Sequence, residues 1–265
     1  MSTQLQPNDV LWDDLFIIDP EKGRLLKQPL RELSDRFILD PIYEYKGFAL
    51  KYFTESREIA MAELAGDCGV KVHGHIIRFD AHPNNGPRKV GLVMEVGRPL
   101  IDSIKEITDE SEKHRIKAEM IAVVERLHTK YNMVHGDIKP ANFVVCKDNE
   151  IRLCDFESAR PADESSQIWE HLMDESIIGE ATEQYYNKSR SQDDYVPPTK
   201  ADDLYALAIS VWELYTGKVP FEGIESGEEI RSHHSTGQTV DLTEVQDDET
   251  REWIRGILRE GGALV

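Results

Sequence analysis

The spacing of apolar residues changes character once along this chain. Up to about residue 97 the apolar positions come in short runs: Leu15-Phe16-Ile17-Ile18, Phe37-Ile38-Leu39, Gly47 to Phe53, Val70 to Phe79 and Lys89 to Val96. Turn-forming residues lie between them, including Asp19-Pro20-Glu21-Lys22-Gly23 and His82 to Pro87, so the runs read as strands. Glu55 to Ala65 is rich in helix formers and is followed by Gly66, which predicts a helix with a glycine stop. Residues 1–36 carry no firm pattern beyond the first run and its turn. After Pro99 the period becomes helical. Ile116, Met120, Val123, Val124 and Leu127 mark an amphipathic helix, and Trp253, Ile254, Ile257 and Leu258 mark another. Asp203 to Tyr215 is apolar almost all round and predicts a buried helix, capped by Asp202 or Asp203 and ended by Gly217. Residues 158–200 are polar and irregular, a long loop of the kind that carries function or disorder.

One stretch concentrates polar groups among apolar ones. His135-Gly136-Asp137-Ile138-Lys139-Pro140-Ala141-Asn142 leads into Phe143-Val144-Val145, a polar turn at 147–150, then Ile151-Arg152-Leu153 and Cys154-Asp155-Phe156-Glu157. The two apolar triplets predict a β-hairpin, which would hold Asp137, Asn142 and Asp155 close together. In the first part Lys51 interrupts an apolar strand and, taken alone, reads as a solvated edge residue.

Composition narrows the setting. The net charge of −19 argues against nucleic acid and anionic membranes as partners. No apolar run reaches the roughly 18 residues of a membrane helix, and the N-terminus lacks a signal pattern. Cys68, Cys146 and Cys154 have no paired spacing and read as buried free thiols, which fits a reducing compartment and a cytoplasmic location.

A strand-rich part, a helical part and the hairpin motif together resemble the protein kinase family, over about residues 37–260. The resemblance implies an α+β, two-lobed kinase-like fold with a β-rich N-lobe and a mainly helical C-lobe. Residues 1–36 would be an N-terminal extension, 37–97 a reduced N-lobe ending in the hinge, and 98–265 a C-lobe shortened at its C-terminus. It also implies ATP and Mg2+ as cofactors, and a nucleotide and a protein substrate or partner as ligands; oligomeric state stays open. Phosphoryl transfer asks a protein mainly for positioning and for positive charge against the triphosphate. By resemblance, Asp137 is the aspartate that orients the acceptor hydroxyl and takes its proton, and Lys139 touches the transferred phosphate. Asn142 and Asp155 are the metal ligands, hard oxygen donors that suit Mg2+. Lys51 binds the α- and β-phosphates, paired with a glutamate of the following helix. Pattern favours Glu58 as that glutamate and chain length favours Glu63; they lie 140° apart around a helix, so only one can face the lysine. Met94, Glu95 and Val96 match the strand end and hinge that receive the adenine, and Asp203 matches the aspartate that supports the catalytic loop through its backbone.

The chain departs from the family at several positions. No glycine-rich loop precedes Lys51, and Glu157 stands where the metal-binding motif has glycine. Gly136 replaces the arginine that usually receives an activation-loop phosphate. Thr182-Glu183-Gln184-Tyr185 resembles the substrate-positioning Thr-x-x-Tyr, but Asn187-Lys188-Ser189 replaces the Ala-Pro-Glu after it, and the arginine partner of that glutamate is expected to be absent as well. The expected activity is serine/threonine protein kinase phosphotransfer to a hydroxyl. The alternatives are a pseudokinase acting as a binding or scaffold module, and a small-molecule kinase.

Overall fold

The computed structural model describes residues 5–19, 23–26, 30–33, 42–52, 54–79, 86–163, 182–192, 196–224 and 226–265. Its contacts divide the chain into two compact units, Met1–Gly97 and Arg98–Val265. The expected strand Phe37–Leu39 and most of the loop at 82–87 lie outside the described residues.

Among its described residues the first unit is a six-stranded sheet and a separate hairpin, with a nine-residue helix on the sheet. In chain order the elements are β1 (Val10–Leu11), α1 (Trp12–Leu15), β2 (Phe16–Asp19), β3 (Gly23–Leu26), β4 (Arg31–Glu32), β5 (Tyr43–Tyr45), β6 (Phe48–Tyr52), α2 (Ser56–Leu64), β7 (Val72–Arg78) and β8 (Arg88–Glu95). Six strands form one sheet in the order β1-β7-β8-β6-β5-β4, and β2 pairs with β3 in a separate hairpin. All pairs are antiparallel except β1 on β7, where Val10 faces Ile76 and Leu11 faces Ile77. Gly91 in β8 is required by close packing: a Cβ there would lie 2.4 Å from the Lys51 carbonyl oxygen and 2.8 Å from the Ile76 side chain.

The N-terminal segment joins this unit's core. Trp12, Leu15 and Phe16 are buried with Leu50, Tyr52, Ile76 and Val93. The expected strand at 15–18 begins one residue later, because Leu15 closes the short helix α1 and turns inward. Phe16 meets Trp12 at 4.3 Å between ring centroids and Tyr52 edge-on at 5.0 Å.

The second unit is mainly helical. Its elements are β9 (Arg98–Pro99), α3 (Glu110–Lys130), β10 (Met133–Val134), β11 (Phe143–Val145), β12 (Ile151–Leu153), β13 (Arg160–Pro161), α4 (Lys188–Gln192), α5 (Lys200–Thr216), α6 (Gly227–Ser235) and α7 (Asp248–Glu260). Helix α5 is buried along its length and packs against both α3 and α7. Its cap differs from expectation. Thr199 is the N-cap, and Asp202 completes a reciprocal capping box by accepting from the Thr199 N–H. Asp203 is therefore left free of capping. Gly217 ends the helix in the left-handed conformation, as expected. The predicted hairpin is β11–β12, with β9 on its other edge. Of the region read as one irregular loop, 158–200, the described residues include β13 and α4, while 164–181 lie outside the description. No helix among the described residues is long and apolar enough to cross a membrane.

Burial of Trp12 gives a direct check on the N-terminal segment. Trp12→Ala should lower unfolding stability in urea by about 3–5 kcal/mol, the range for truncating a buried large aromatic. A change within about 0.5 kcal/mol would mean that the segment is not part of the core.

Candidate active site

The polar cluster of the second unit begins with one carboxylate. Asp203, 1 % exposed on α5, accepts the backbone N–H groups of His135 and Gly136 at 2.8 Å each, and meets His128 Nε2 of α3 at 2.8 Å. The loop backbone is thereby tied to two helices. Gly136 has φ +83°, and a Cβ on it would lie 2.6 Å from the Ser158 carbonyl oxygen, so only glycine fits. Its own carbonyl accepts from the buried guanidinium of Arg190 at 2.9 Å, and Arg190 lies over the Tyr186 ring. His135 meets the Cys154 carbonyl at 3.0 Å and the Phe156 ring at 5.0 Å, joining the loop to the far side of the hairpin.

Asp137, largely buried, projects from this fixed loop into a set of donors. Lys139 Nζ donates to Oδ2 at 2.6 Å and Asn142 Nδ2 at 3.1 Å, while the Thr182 N–H donates to Oδ1 at 3.0 Å. Lys139 also donates to Thr182 Oγ1 at 2.7 Å. A carboxylate offers about four acceptor positions, so Oδ1 keeps room for an incoming hydroxyl.

Asn142 and Asp155 flank the open end of the β11–β12 hairpin. The Cys154 N–H donates to the Asn142 carbonyl at 2.9 Å, directly beyond the pair Phe143 and Leu153. Asn142 Nδ2 is turned toward the Asp137 carbonyl at 2.7 Å, so the side-chain oxygen is the atom left to act as an acceptor or ligand. Asp155 has φ +64°, a left-handed backbone that aspartate tolerates better than most residues. The described residues hold no cluster of three or more His, Cys, Asp or Glu that could bind a metal alone. Asn142 and Asp155 each offer an oxygen donor of the kind that suits Mg2+, which keeps several waters and shares phosphate oxygens. Glu157 is exposed.

The Thr182–Tyr185 segment is anchored from below. Glu183 accepts from Arg231 of α6 at 2.7 Å, and its carboxylate sits against Gly227, the first residue of α6, where any Cβ would collide. Tyr185 donates to Glu213 at 2.7 Å, and burial, then the Glu213 charge, push its hydroxyl pKa well up. His234 of α6 is 1 % exposed beside the same segment.

In the first unit Lys51 Nζ donates to Glu58 Oε1 at 2.6 Å, both side chains nearly buried. This corrects the alternative Glu63, whose carboxylate meets His75 and Lys89 instead. Three residues suffice to join β6 to α2, so Glu58 falls in the first helical turn, beside the lysine. Met94 is buried near the end of β8, Glu95 Oε1 accepts from the Lys71 N–H at 3.0 Å, and Val96 lies just past the strand. Sequence reasoning missed His128, Arg190 and the Glu183–Arg231 pair. His128, Arg190 and Arg231 come from segments with no motif of their own, and Glu183, inside the Thr-x-x-Tyr stretch, reveals its partner only in space.

Burial lowers the His234 pKa to about 4. The unfolded state then binds the proton first, so stability is full above about pH 6.5 and is lost as pH falls toward 4. Urea unfolding should show a loss of about 2 kcal/mol between pH 7 and pH 5 that is absent in His234→Leu. An equal loss in the variant would assign the slope to other groups.

The comparisons with known proteins point one way. The sequence profile described as Protein kinase domain matches residues 44–260. A serine/threonine-protein kinase named RUNKEL from Arabidopsis thaliana is 26% identical over 193 residues, 71% of this chain and 13% of that protein. Serine/threonine-protein kinase PknA of Mycobacterium tuberculosis is 26% identical over 209 residues, 78% of this chain and 44% of that protein. The human lymphokine-activated killer T-cell-originated protein kinase is 28% identical over 158 residues, 56% of this chain and 48% of that protein. The aligned regions thus make up less than half the length of these relatives. With the profile spanning most of its length, and with an α+β fold of the matching kind, the chain belongs to the protein kinase domain family.

Proposed function

We propose that the chain is an ATP- and Mg2+-dependent phosphotransferase that delivers the γ-phosphate to a serine or threonine hydroxyl of a protein substrate. The observation that carries this reading is the donor set around Asp137: Lys139, Asn142 and the Thr182 N–H, on a loop tied down by Asp203. Asp137 orients the acceptor hydroxyl and takes its proton. Lys139 neutralises the carboxylate and the transferred phosphate in turn. Asn142 and Asp155 would hold Mg2+, which when bound offsets phosphate charge and aligns the leaving oxygen. Lys51, kept in place by Glu58, binds the α- and β-phosphates, and the backbone at Met94, Glu95 and Val96 receives the adenine.

A protein acceptor is favoured by the serine/threonine kinase names of the relatives and by Lys139 two residues after Asp137. The net charge of −19 favours a basic substrate. The lack of paired spacing among Cys68, Cys146 and Cys154 supports a cytoplasmic setting.

One feature favours the second reading, a nucleotide-site scaffold without turnover. The stretch between β4 and β5, residues 33–42, contains no glycine, the residue type that best permits close backbone cover of phosphates.

The test is transfer of label from γ-labelled ATP with Mg2+ to a basic serine/threonine peptide library. Asp137→Ala should lower kcat by about two to four orders of magnitude, the range for losing a general base, while nucleotide binding by thermal shift persists. Full activity in Asp137→Ala would overturn the assignment of the base. Nucleotide binding without transfer in the unaltered chain would favour the scaffold, and transfer to small hydroxyl compounds alone would favour a small-molecule kinase.

A further inference from the structure

Residues 5–16 lie outside the matched kinase profile, yet through His75 they are linked to the helix that carries Glu58. Strand β1 runs parallel along the edge of β7. Gly74 permits the approach, since a Cβ there would lie 2.7 Å from both the carbonyl carbon and oxygen of Asn8. The Asp9 side chain, 4 % exposed, accepts the His75 N–H at 2.8 Å through Oδ1, which also faces His75 Nδ1 at 3.5 Å. Its other oxygen accepts the Gln6 N–H at 2.8 Å, which folds the segment back on itself. On the opposite side of the ring, His75 Nε2 meets Glu63 Oε1 of α2 at 2.9 Å, and Lys89 Nζ of β8 donates to the same oxygen at 2.8 Å.

The placement of these contacts matters more than their number. Helix α2 packs on β8, which lies between β6 and β7 in the sheet. Glu58 ties the helix to Lys51 on β6, and Glu63 ties it to His75 on β7. The two glutamates lie about 7.5 Å apart along the axis and point about 140° apart around it. A roll of the helix that carries Glu58 off Lys51 must therefore also break Glu63 from His75. Ile59, Met61 and Ala62 bury the helix, but apolar contact is non-directional and leaves such a roll cheap. A nine-residue helix also has little stability of its own.

We propose that residues 5–16 are a positioning strap for α2: Asp9 orients His75, His75 holds Glu63, and the helix so fixed keeps Glu58 on Lys51. Its consequence for activity rests on the phosphotransferase reading, in which Lys51 binds phosphate; the strap itself does not.

The experiment compares Glu63→Ala, Glu63→Gln and Asp9→Ala by hydrogen exchange of the α2 amides in the nucleotide-free chain, and by kcat/KM for Mg-ATP. Glu63 is 42 % exposed, so its replacement should leave the fold intact. Loss of one such hydrogen bond corresponds to roughly a five-fold change, so Glu63→Ala and Asp9→Ala should speed α2 exchange about five-fold and lower kcat/KM by a similar factor. Glu63→Gln keeps an acceptor and should stay within about two-fold of the unaltered chain. Unchanged α2 exchange in Glu63→Ala, or a rise spread evenly over the first unit, would overturn the strap. If the unaltered chain transfers no phosphate, the exchange result still decides the strap, and the failure belongs to the phosphotransferase reading alone.

Discussion

The polar cluster of the second unit depends on one buried carboxylate. Asp203 is held inside α5, where its desolvation is offset only because three donors converge on it, from His128, His135 and Gly136. Hydrogen bonds to a charged group contribute about 1.5–3 kcal/mol each. The carboxylate therefore fixes the loop backbone far more firmly than a neutral contact would. Asp137 follows directly in sequence, so the direction of its side chain is inherited from that clamp. The capping box at Thr199 and Asp202 frees Asp203 for this use, since the helix start is satisfied without it.

Around the clamp, contacts that differ from the family pattern form a consistent set. Gly136 cannot carry a side chain because Ser158 closes the space, and the guanidinium of Arg190 arrives at its carbonyl from another segment. The Thr182 segment lacks the Ala-Pro-Glu that would follow it, and Glu183 binds Arg231 and the start of α6 instead. In the first unit the N-terminal segment supplies Trp12, Leu15 and Phe16 to the core that Leu50, Tyr52, Ile76 and Val93 complete.

Much of this was legible from residues alone. The kinase resemblance came from His135–Asn142 and Asp155-Phe156, because such motifs carry spacing that the hairpin then imposes. The helices α3, α5 and α7 and the strands β6, β7 and β8 followed from periodicity. Three things did not. The partner of Lys51 was open between Glu58 and Glu63, because helix period separates the two faces without saying which one the sheet meets. The cap of α5 was misplaced by three or four residues, since Thr199, Asp202 and Asp203 all have capping chemistry. Residues 5–14 gave no signal because their placement rests on pairing with β7, more than sixty residues away, and on the absence of a side chain at Gly74. Long-range pairing of this kind leaves no local pattern.

The most direct test of the central claim is a crystal structure of the chain with Mg2+ and a non-hydrolysable ATP analogue. The account predicts Mg2+ at about 2.1 Å from the side-chain oxygen of Asn142 and from the Asp155 carboxylate, with Lys51 on the α- and β-phosphates and Asp137 facing the γ-phosphate without binding the metal. A nucleotide bound without contact to these residues, or none bound at saturating concentration, would contradict it.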